Sequence, residues 1–298
     1  MAEFYMMVGL PGSGKSFLAK NMMNCEHISS DAIREEVFGD VNDQNHNDEV
    51  FNIMLNRTIE VLKNDGKCVY DATNLNAKRR MNLLKELRNR VGNKFHAECI
   101  VCVPSFELCC KRNNERDRVV PQFVMDRMYK QFQPPIYEEG WDEIVVYGER
   151  KYNRQYLLDL LEKSRSIPHD NPNHKLSIGE HMLAAETKAI ELGYGSDIRE
   201  AALFHDIGKS FCKVFTNMKG EPTEYAHYYG HSCVSAYLYY QCCAGFRLGL
   251  YDSTIIGLIG YHMEHFAGEK RINNMRKMFG SVFMEKLEKL HRCDKEAH

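Results

Sequence analysis

The sequence lacks any long hydrophobic run, since no apolar stretch approaches the ~18 residues that a membrane span requires. A transmembrane helix is therefore excluded, and no membrane partner is expected. The chain also lacks a charge excess, with a formal net charge of -2 and an isoelectric point of about 6.7. Because no overall field favours a polyanion, any contact with nucleic acid must come from local basic patches. Internal repeats and low-complexity tracts are missing too.

No secretory leader is expected, because the first predicted strand begins at about Glu3. The 11 cysteines are scattered and odd in number, which predicts reduced thiols and a cytoplasmic location. Cys99 and Cys102 form a CxxC pair inside an apolar run that is typical of a buried strand. No second pair accompanies them, so neither a zinc site nor a redox site is expected there.

Histidine divides the chain into two parts, because ten of the thirteen histidines follow residue 168. Before that point predicted strands and helices alternate, which indicates a parallel sheet with helices on both faces. From about Tyr152 onward the apolar residues recur with helical spacing. We therefore predict an α/β domain over residues 1–150, a linker over residues 151–167 and an all-α domain over residues 168–298.

Residues 9–16 read GLPGSGKS and match the P-loop pattern GxxxxGK[ST] between a predicted strand and a predicted helix. Glycines let the backbone N–H groups curl around a phosphate, and the helix N-terminus adds partial positive charge. Lys15 would reach the β- and γ-phosphates, and Ser16 would hold Mg²⁺. The sequence thus predicts a site for ATP and Mg²⁺ formed by Gly9, Gly12, Ser13, Gly14, Lys15 and Ser16.

Charged residues downstream of the P-loop each allow two interpretations. Asp31 either caps a helix or accepts a proton from an acceptor hydroxyl, and Arg34, one turn later, would hold an acceptor phosphate. Asp71 follows an apolar strand and is either a turn residue or a holder of the Mg²⁺ water shell. Arg112 and Arg116 share a helix face that is either a solvated surface or part of a lid over the transferring phosphoryl group.

Residues 3–148 resemble the 5′-hydroxyl polynucleotide kinase family of phage and bacterial nucleic-acid repair, through the segments GLPGSGKS, SSDAIR, DATNLNAKRR, KRNNERDRVVP and VMDRMYKQF. The resemblance implies an α/β P-loop kinase domain that binds ATP and Mg²⁺. Lys15 and Ser16 would have the P-loop roles, Asp31 would be the general base, and Arg34 would grip the phosphate on the 3′ side of the acceptor.

The same resemblance extends to two further segments. Arg116, with Arg112, would belong to the lid that stabilises the transition state. The family's Asp-Thr-Asn segment appears here as Asp71-Ala72-Thr73-Asn74, which implies substrate contacts for Asp71, Thr73 and Asn74.

A locally basic segment covers residues 78–94. It contains seven lysines and arginines against one acid, Glu86, so its local charge is +6. A solubilising helix face explains this run more simply than contact with phosphates does, although phosphate contacts commonly arise from such patches.

The segment AALFHDIGKS leads an apolar helix face directly into His205 and Asp206. Imidazole nitrogens and carboxylate oxygens are good ligands for divalent transition metals. Further candidates lie in separate helical patterns where a polar residue needs a partner: His181, His231, His262 and Asp294. Each alone reads as a hydrogen-bonded core or surface residue, whereas the whole set around His-Asp indicates a metal site.

Residues 168–296 resemble the HD superfamily of metal-dependent phosphohydrolases, and most closely the HD domain of CCA-adding tRNA nucleotidyltransferases, through NHKLSIGEH, ALFHDIGK and YYGHS. The resemblance implies one metal ion, such as Mn²⁺, Fe²⁺, Co²⁺ or Ni²⁺, bound by His181, His205, Asp206 and Asp294. His231 and His262 would be available for a second ion.

Within the same resemblance Asp206 is catalytic, and Lys209 would hold a substrate phosphate. Three other histidines, His174, His227 and His265, are not ligands in the HD pattern, so we expect them near the site or on the surface.

Co-occurrence of the two sites suggests nucleic-acid end healing. The kinase would phosphorylate 5′-OH ends with ATP. The HD domain would remove 2′,3′-cyclic or terminal 3′- or 2′-phosphates, preparing RNA, or DNA, for a separate ligase. Two alternatives stay open: a small-molecule kinase fused to an HD nucleotidase, and a regulatory sensor.

Overall fold

The computed structural model describes residues 1–22, 24–172 and 175–297. Within these residues the N-terminal half contains five strands, β1 (Ala2–Gly9), β2 (Glu26–Ser29), β3 (Lys67–Asp71), β4 (Phe95–Cys102) and β5 (Glu143–Tyr147). Its helices are α1 (Lys15–Lys20), α2 (Ser30–Phe38), α3 (Asn47–Lys63), α4 (Ala77–Val91), α5 (Phe106–Asn114) and α6 (Gln122–Lys130). A 3₁₀ turn covers Tyr137–Glu139.

The five strands form one parallel sheet in the order β2-β3-β1-β4-β5. Alternate residues of β1 point to opposite faces, so Phe4 joins the main core with α3 and α4 while Met7 packs beside α1. This arrangement agrees with the predicted α/β sheet flanked by helices. The carboxyl ends of parallel strands meet at one edge of the sheet, which here gathers Gly9, Ser29, Asp71 and Cys102.

The C-terminal half is mainly helical, with α7 (Arg154–Ser164), α8 (Ile178–Glu191), α9 (Ser196–Phe204), α10 (Lys209–Cys212), α11 (His231–Cys242), α12 (Leu250–Tyr261) and α13 (Glu269–Glu296). A 3₁₀ segment, His262–Ala267, joins α12 to α13, and α13 is broken at Gly280. Helix α7 lies inside the predicted linker and packs against α8 and α11. Among the described helices, none combines the length and the apolar character that crossing a membrane needs.

A small sheet departs from the all-α prediction for this half. Strands β6 (Val214–Thr216) and β7 (Pro222–His227) pair antiparallel, and the turn between them includes Gly220 at a φ of 83°. Glycine adopts this left-handed conformation without strain. The prediction was wrong here because two short strands give too few residues for a recognisable alternation.

The two halves share one continuous hydrophobic core. Residues 245–248 pair with β5, since Val146 N donates to Phe246 O at 3.1 Å and Leu248 N donates to Ile144 O at 2.8 Å, which covers this edge of the sheet. Across the same boundary the hydroxyl of buried Tyr237 donates to Pro104 O at 2.8 Å. One packed framework therefore carries both candidate sites.

Candidate functional sites

The loop between β1 and α1 has the backbone geometry of a phosphate cradle. Gly12 and Gly14 have φ values of 76° and 90°, which side-chain-bearing residues rarely adopt. A Cβ on Gly12 would lie 2.2 Å from the carbonyl oxygen of Cys109, so α5 approaches too closely for any side chain. The Oγ atom of Ser13 is buried without a hydrogen-bond partner among the described residues. The loop is therefore shaped for an additional polar ligand, as the P-loop pattern predicts.

Asp71 lies at the end of β3 beside the P-loop and is 2% exposed. Burial disfavours its ionised form. A hydrogen bond with His27 (Nε2 to Oδ2, 3.0 Å), the charge of Lys15 and a hydrogen bond with Ser16 outweigh burial, so the pKa of Asp71 is lowered. An ionised carboxylate beside the P-loop serine suits Mg²⁺. His27 was missed from the sequence because one histidine in a four-residue strand forms no pattern.

Asp31 lies in the first turn of α2, but the N-cap is Ser29, whose Oγ accepts from Ala32 N. The helix-cap interpretation of Asp31 is therefore wrong. Its Oδ1 atom instead accepts from Arg34 Nη1 at 3.2 Å and from Arg118 Nη1 at 3.0 Å. Since its side chain is 45% exposed, Asp31 can also meet a hydroxyl group from outside the protein.

Arg34 is buried beneath this carboxylate and donates from Nη2 to Asn47 Oδ1 at 2.6 Å. Burial lowers the pKa of Arg34 despite the neighbouring Asp31 charge. Its Nε atom has no hydrogen-bond partner within the described chain. The guanidinium of Arg34 is therefore not fully hydrogen-bonded by the described residues.

Helix α5 ends at Asn114, so Arg116 lies in the loop of residues 115–121 that connects α5 to α6, and it does not share a helix face with Arg112 as predicted. Buried Asn113 holds this loop, because its Nδ2 donates to Val120 O at 2.8 Å and its Oδ1 accepts from Val120 N at 3.1 Å. The loop brings Arg118 to Asp31, whereas Arg116 is exposed. Arg112 lies beside the P-loop, with Nη1 3.7 Å from where a Cβ of Gly14 would stand. Sequence reasoning did not select Arg118.

Thr73 and Asn74 hold the β3–α4 connection against β1. The carbonyl of Thr73 accepts from Gly9 N at 3.1 Å, and the side-chain amide of Asn74 donates to Met7 O at 2.7 Å. The carbonyl of Asn74 in turn accepts from Arg80 Nη1 at 2.8 Å. These contacts position Asp71 and the P-loop relative to each other, and they engage Asn74 within the protein.

A cleft of about 260 Å³ opens beside the P-loop. Its walls include two exposed aromatic side chains, Phe17 of α1 and Tyr147 of β5, and the charged Arg112. Aromatic rings offer stacking surfaces to a nucleobase, so this cleft can receive the base of a nucleotide whose phosphates lie on Gly12 and Gly14.

In the C-terminal half, the side chains of five residues gather around the buried carboxylate of Asp206, and four of these residues are distant from it in the sequence. On one side, its Oδ2 atom lies 3.6 Å from His181 Nε2 and 3.3 Å from His205 Nε2. The Oδ1 atom of Asp294 lies 2.9 and 3.5 Å from these same nitrogens. The four residues named for one metal ion are thus brought together.

A second group shares Asp206 from the other side. Its Oδ1 atom lies 3.1 Å from His231 Nε2 and 3.5 Å from His262 Nε2. The described residues therefore contain two overlapping sets with metal-ligand spacing, His181–His205–Asp206 and Asp206–His231–His262. A carboxylate with one oxygen in each set is arranged to bridge two cations.

Each histidine of the cluster is oriented by its other ring nitrogen, which donates to a backbone carbonyl. The Nδ1 atoms lie 2.7 to 3.0 Å from their acceptors, which are Ala297 for His181, Ala202 for His205, Tyr228 for His231 and Ile259 for His262. Such bonds fix the tautomer and direct the Nε2 lone pair inward, as in metal-binding histidines.

The donor set fits a divalent transition metal. His205 Nε2 and Asp206 Oδ1 are buried without a partner in hydrogen-bond geometry among the described residues, a costly state unless a cation satisfies them. Nitrogen and carboxylate oxygen ligands suit Mn²⁺, Fe²⁺, Co²⁺ and Ni²⁺. The cluster is therefore a candidate metal centre.

The carboxylates of the cluster favour a positive charge beside them. Burial disfavours charged His205, but the Asp206 and Asp294 carboxylates outweigh burial and raise the pKa of His205 to about 10. Burial likewise disfavours ionised Asp206, yet Lys209 and His205 hold its pKa well below the ordinary value. His262 has fewer compensating charges, and burial lowers its pKa. The carboxylates thus stay ionised and favour a cation beside them, and a metal ion bound here would displace the proton from His205.

Lys209 lies beside the cluster, with Nζ 2.6 Å from Asp206 Oδ2 and 3.3 Å from His169 Nε2. His169 is 1% exposed, and its Nδ1 contacts Leu176 O at 2.8 Å. Sequence reasoning missed His169, which lies in an irregular Pro-rich segment without periodicity. It gives Lys209 a second fixed contact beside the cluster.

The remaining predicted non-ligands lie elsewhere or cannot be placed. His227 stacks on Tyr229 with ring centroids 5.3 Å apart, and His265 packs edge-on against His291 at 4.3 Å. His174 lies outside the described residues.

Comparison with known proteins bears on the N-terminal half. A family model described as an AAA domain matches residues 4–135. A solved structure from Chloroflexus aurantiacus J-10-fl, described as a candidate kinase, is 13% identical with a TM-score of 0.41, and the match covers 54% of this chain and 97% of that one. The family match includes the P-loop, Asp31, Asp71 and the loop of residues 115–121, so the N-terminal half contains a P-loop nucleotide-binding domain, which implies ATP and Mg²⁺.

Proposed function

We propose that the chain is a bifunctional nucleic-acid end-healing enzyme, with an ATP-dependent 5′-hydroxyl kinase in the N-terminal half and an HD-type metal-dependent phosphohydrolase in the C-terminal half. The observation that carries the proposal is the sharing of Asp206 between two histidine pairs in a chain that also holds a P-loop. Together these sites could add phosphate at one end of a strand and remove it from the other.

In the kinase half, the phosphates of ATP would lie on the backbone of Gly12 and Gly14 with Lys15 beside them. Ser16 and Asp71 would hold Mg²⁺, which neutralises charge on the transferring group when bound. Asp31 would accept the proton of the 5′-hydroxyl as that oxygen bonds to the γ-phosphorus. The bond to the β,γ-bridging oxygen breaks, and ADP leaves.

The arginines around Asp31 would position the acceptor. Arg34, with its unused Nε donor, would bind the phosphate on the 3′ side of the accepting nucleotide. Arg118 contacts the same carboxylate and would close the loop over the acceptor, while Arg112 and Arg116 would face the phosphates of ATP. These roles place ATP and the acceptor on opposite sides of the transferring phosphoryl group.

In the C-terminal half, the six-residue cluster would hold one or two divalent metal ions, which acidify water and polarise phosphoryl oxygens when bound. Lys209 would bind a non-bridging phosphate oxygen. One water opens a 2′,3′-cyclic phosphate by breaking one of its two ribose P–O bonds. A second water breaks the other and releases inorganic phosphate, leaving both hydroxyls free.

A single RNA tests both halves. We would incubate a 5′-OH RNA that ends in a 2′,3′-cyclic phosphate with the protein, ATP, Mg²⁺ and Mn²⁺, and analyse both ends. Asp31→Ala should abolish only 5′ phosphorylation, and Asp206→Asn only removal of the terminal phosphate. Asp159→Ala, an exposed position on α7, is the matched control and should change neither.

Two results would overturn the proposal. If the parent protein alters neither end of the RNA, end healing is not its function. If nucleosides or small alcohols are phosphorylated with higher kcat/KM than any oligonucleotide, the kinase acts on a small molecule instead.

A further inference from the structure

A second, larger cavity, lined by none of the predicted residues of either site, lies between α4 of the N-terminal half and the first half of α13. It has a volume of about 620 Å³ and is open to solvent along one side. Five of its lining residues are basic: Lys78, Lys85 and Arg88 from α4, and Arg271 and Lys277 from α13. We call this cavity the α4–α13 groove.

The charge of the groove is largely uncompensated. Its one acidic lining residue, Glu139, is buried and forms a bidentate ion pair with Arg80, and Arg271 pairs with Glu264. The exposed ammonium groups of Lys78, Lys85 and Lys277 form no ion pair with any described residue. Three positive charges without an ion-pair partner among the described residues therefore face one open groove.

The ends of the groove lie close in sequence to both sites. Helix α4 begins at Ala77, six residues after Asp71 of the P-loop site. Helix α13 follows the 3₁₀ segment that begins with His262 of the metal cluster, and Arg271 is bonded back to Glu264 of that segment. The groove is thus formed by the two helices that follow the two sites in the chain.

We propose that the α4–α13 groove binds the sugar-phosphate backbone of a single-stranded nucleic acid. The inference rests on the proposed function for the identity of the polymer and adds a binding surface that neither site contains. Lys78 to Arg88 spans ten residues of helix, about 15 Å at 1.5 Å per residue, which is long enough for several nucleotides of one strand.

The uncharged lining also suits a single strand better than an acidic protein. Asn82, Asn89 and Asn274 offer amide donors and acceptors to base edges, and Met81 and Met278 offer polarizable apolar contacts to base faces. Grooves that track a single strand combine basic residues along the backbone with surfaces on which bases rest.

The test measures binding of a fluorescein-labelled single-stranded RNA to the full chain at several salt concentrations. We would compare the parent with a triple variant, Lys78→Gln, Lys85→Gln and Lys277→Gln. Removing three phosphate contacts should reduce the slope of log K against log salt by about 2, because each contact on a single strand contributes about 0.7. The KM for an RNA acceptor should rise, and the KM for a nucleoside 3′-phosphate should stay unchanged.

A matched control removes three lysines from other exposed positions, Lys63→Gln, Lys163→Gln and Lys219→Gln. It changes the net charge equally and should keep the parent's slope. If both triple variants lose the same slope, general charge explains binding and the groove assignment is wrong. If poly-L-glutamate displaces the RNA at equal charge concentration, the groove selects acidic polymers in general and the assignment to nucleic acid is wrong.

The same experiment separates this inference from the proposed function. A parent protein that binds RNA with the expected slope but phosphorylates no end would refute the end-healing function and leave the groove standing. A triple variant that heals and binds RNA like the parent would refute the groove and leave the function standing.

Discussion

Replacing Arg80 by methionine should strongly destabilise the protein and affect the P-loop site from a distance. Arg80 is 1% exposed; its Nε donates to Glu139 Oε2 at 2.8 Å, and its Nη2 donates to Glu139 Oε1. Its remaining bond, from Nη1, supports the carbonyl of Asn74. Glu139 keeps the guanidinium ionised, because its charge outweighs burial and raises the pKa of Arg80.

The expected loss in the free energy of unfolding follows from the group that the substitution leaves unpaired. Removing Arg80 leaves the Glu139 carboxylate buried without its counter-charge, and breaking a buried pair in this way costs about 3–5 kcal/mol. The double variant Arg80→Met, Glu139→Gln should recover most of this loss, since no buried charge remains. Glutamine is preferable to leucine because it keeps an oxygen acceptor for Trp141 Nε1, which donates to Glu139 Oε2 at 3.1 Å.

Trp141 supplies the assay, because it is the single tryptophan of the chain and lies against this ion pair. Its fluorescence should report unfolding in urea. With an m-value of about 3 kcal/mol/M, a loss of 3–5 kcal/mol should lower the midpoint by about 1–1.7 M. Because Asn74 holds the β3–α4 connection against β1, Arg80→Met should also raise the KM for ATP at urea concentrations where it is still folded.

The loss of stability caused by Arg80→Met should grow as the pH rises. Burial raises the pKa of Glu139, and without Arg80 the folded state prefers the protonated acid even more strongly. The unfolded chain releases that proton near the ordinary value of about 4.3. Stability relative to the parent is therefore lost progressively as the pH rises above about 4.3. The deficit should be smaller at pH 5 than at pH 8, and the double variant should show no such trend.

Two results would refute this reasoning. A single variant that unfolds within about 0.3 M of the parent's midpoint, which at the same m-value is a loss of about 1 kcal/mol or less, would show that the pair contributes little. A double variant as unstable as the single variant would show that the loss comes from packing rather than from an unpaired charge.

Two further predictions concern the sites directly. Asp206→Asn should lower the affinity for Mn²⁺ by more than about tenfold, since even groups that only orient ligands contribute that much. Titration calorimetry would measure this affinity, with His227→Gln as a control that should bind Mn²⁺ like the parent. Equal affinities of Asp206→Asn and the parent would remove Asp206 from the metal centre. Arg118→Gln should raise the KM for the acceptor because Arg118 contacts Asp31. Arg116→Gln should instead lower kcat at saturating ATP. Steady-state kinetics in which both variants change the same parameter would refute this division of roles.

The parts of the structure that the sequence predicts well are those fixed by local pattern. The P-loop is one example, because its glycines, Lys15 and Ser16 lie within eight consecutive residues between a strand and a helix. Alternation of strands with helices likewise requires a parallel sheet. The metal-ligand candidates were found as a set, because each histidine or aspartate interrupts an apolar helical face where burial demands a partner.

What the sequence did not predict depends on packing between distant segments. Arg118 reaches Asp31 because Asn113 holds the loop at Val120, whereas helical spacing favoured Arg112 and Arg116. His169 has no periodic context, and only the fold brings it to Lys209. The α4–α13 groove joins helices from opposite halves of the chain, so no local pattern could indicate it.

Helix α4 shows why a count of charges could not decide between a solubilising face and a phosphate-binding face. Arg80 is buried in an ion pair, Arg90 pairs with Glu86 at 2.6 Å on the surface, and Arg88 donates to a backbone carbonyl. Of the basic residues of this helix that line the groove, Lys78 and Lys85 are the two whose side chains form no hydrogen bond or ion pair with a described residue, since Arg88 is held by that carbonyl. The local charge of +6 is therefore the sum of structural, solubilising and ligand-facing residues. These classes lie on different faces of the helix. The role of each face can be assigned only once the positions of α13 and Glu139 against the helix are known.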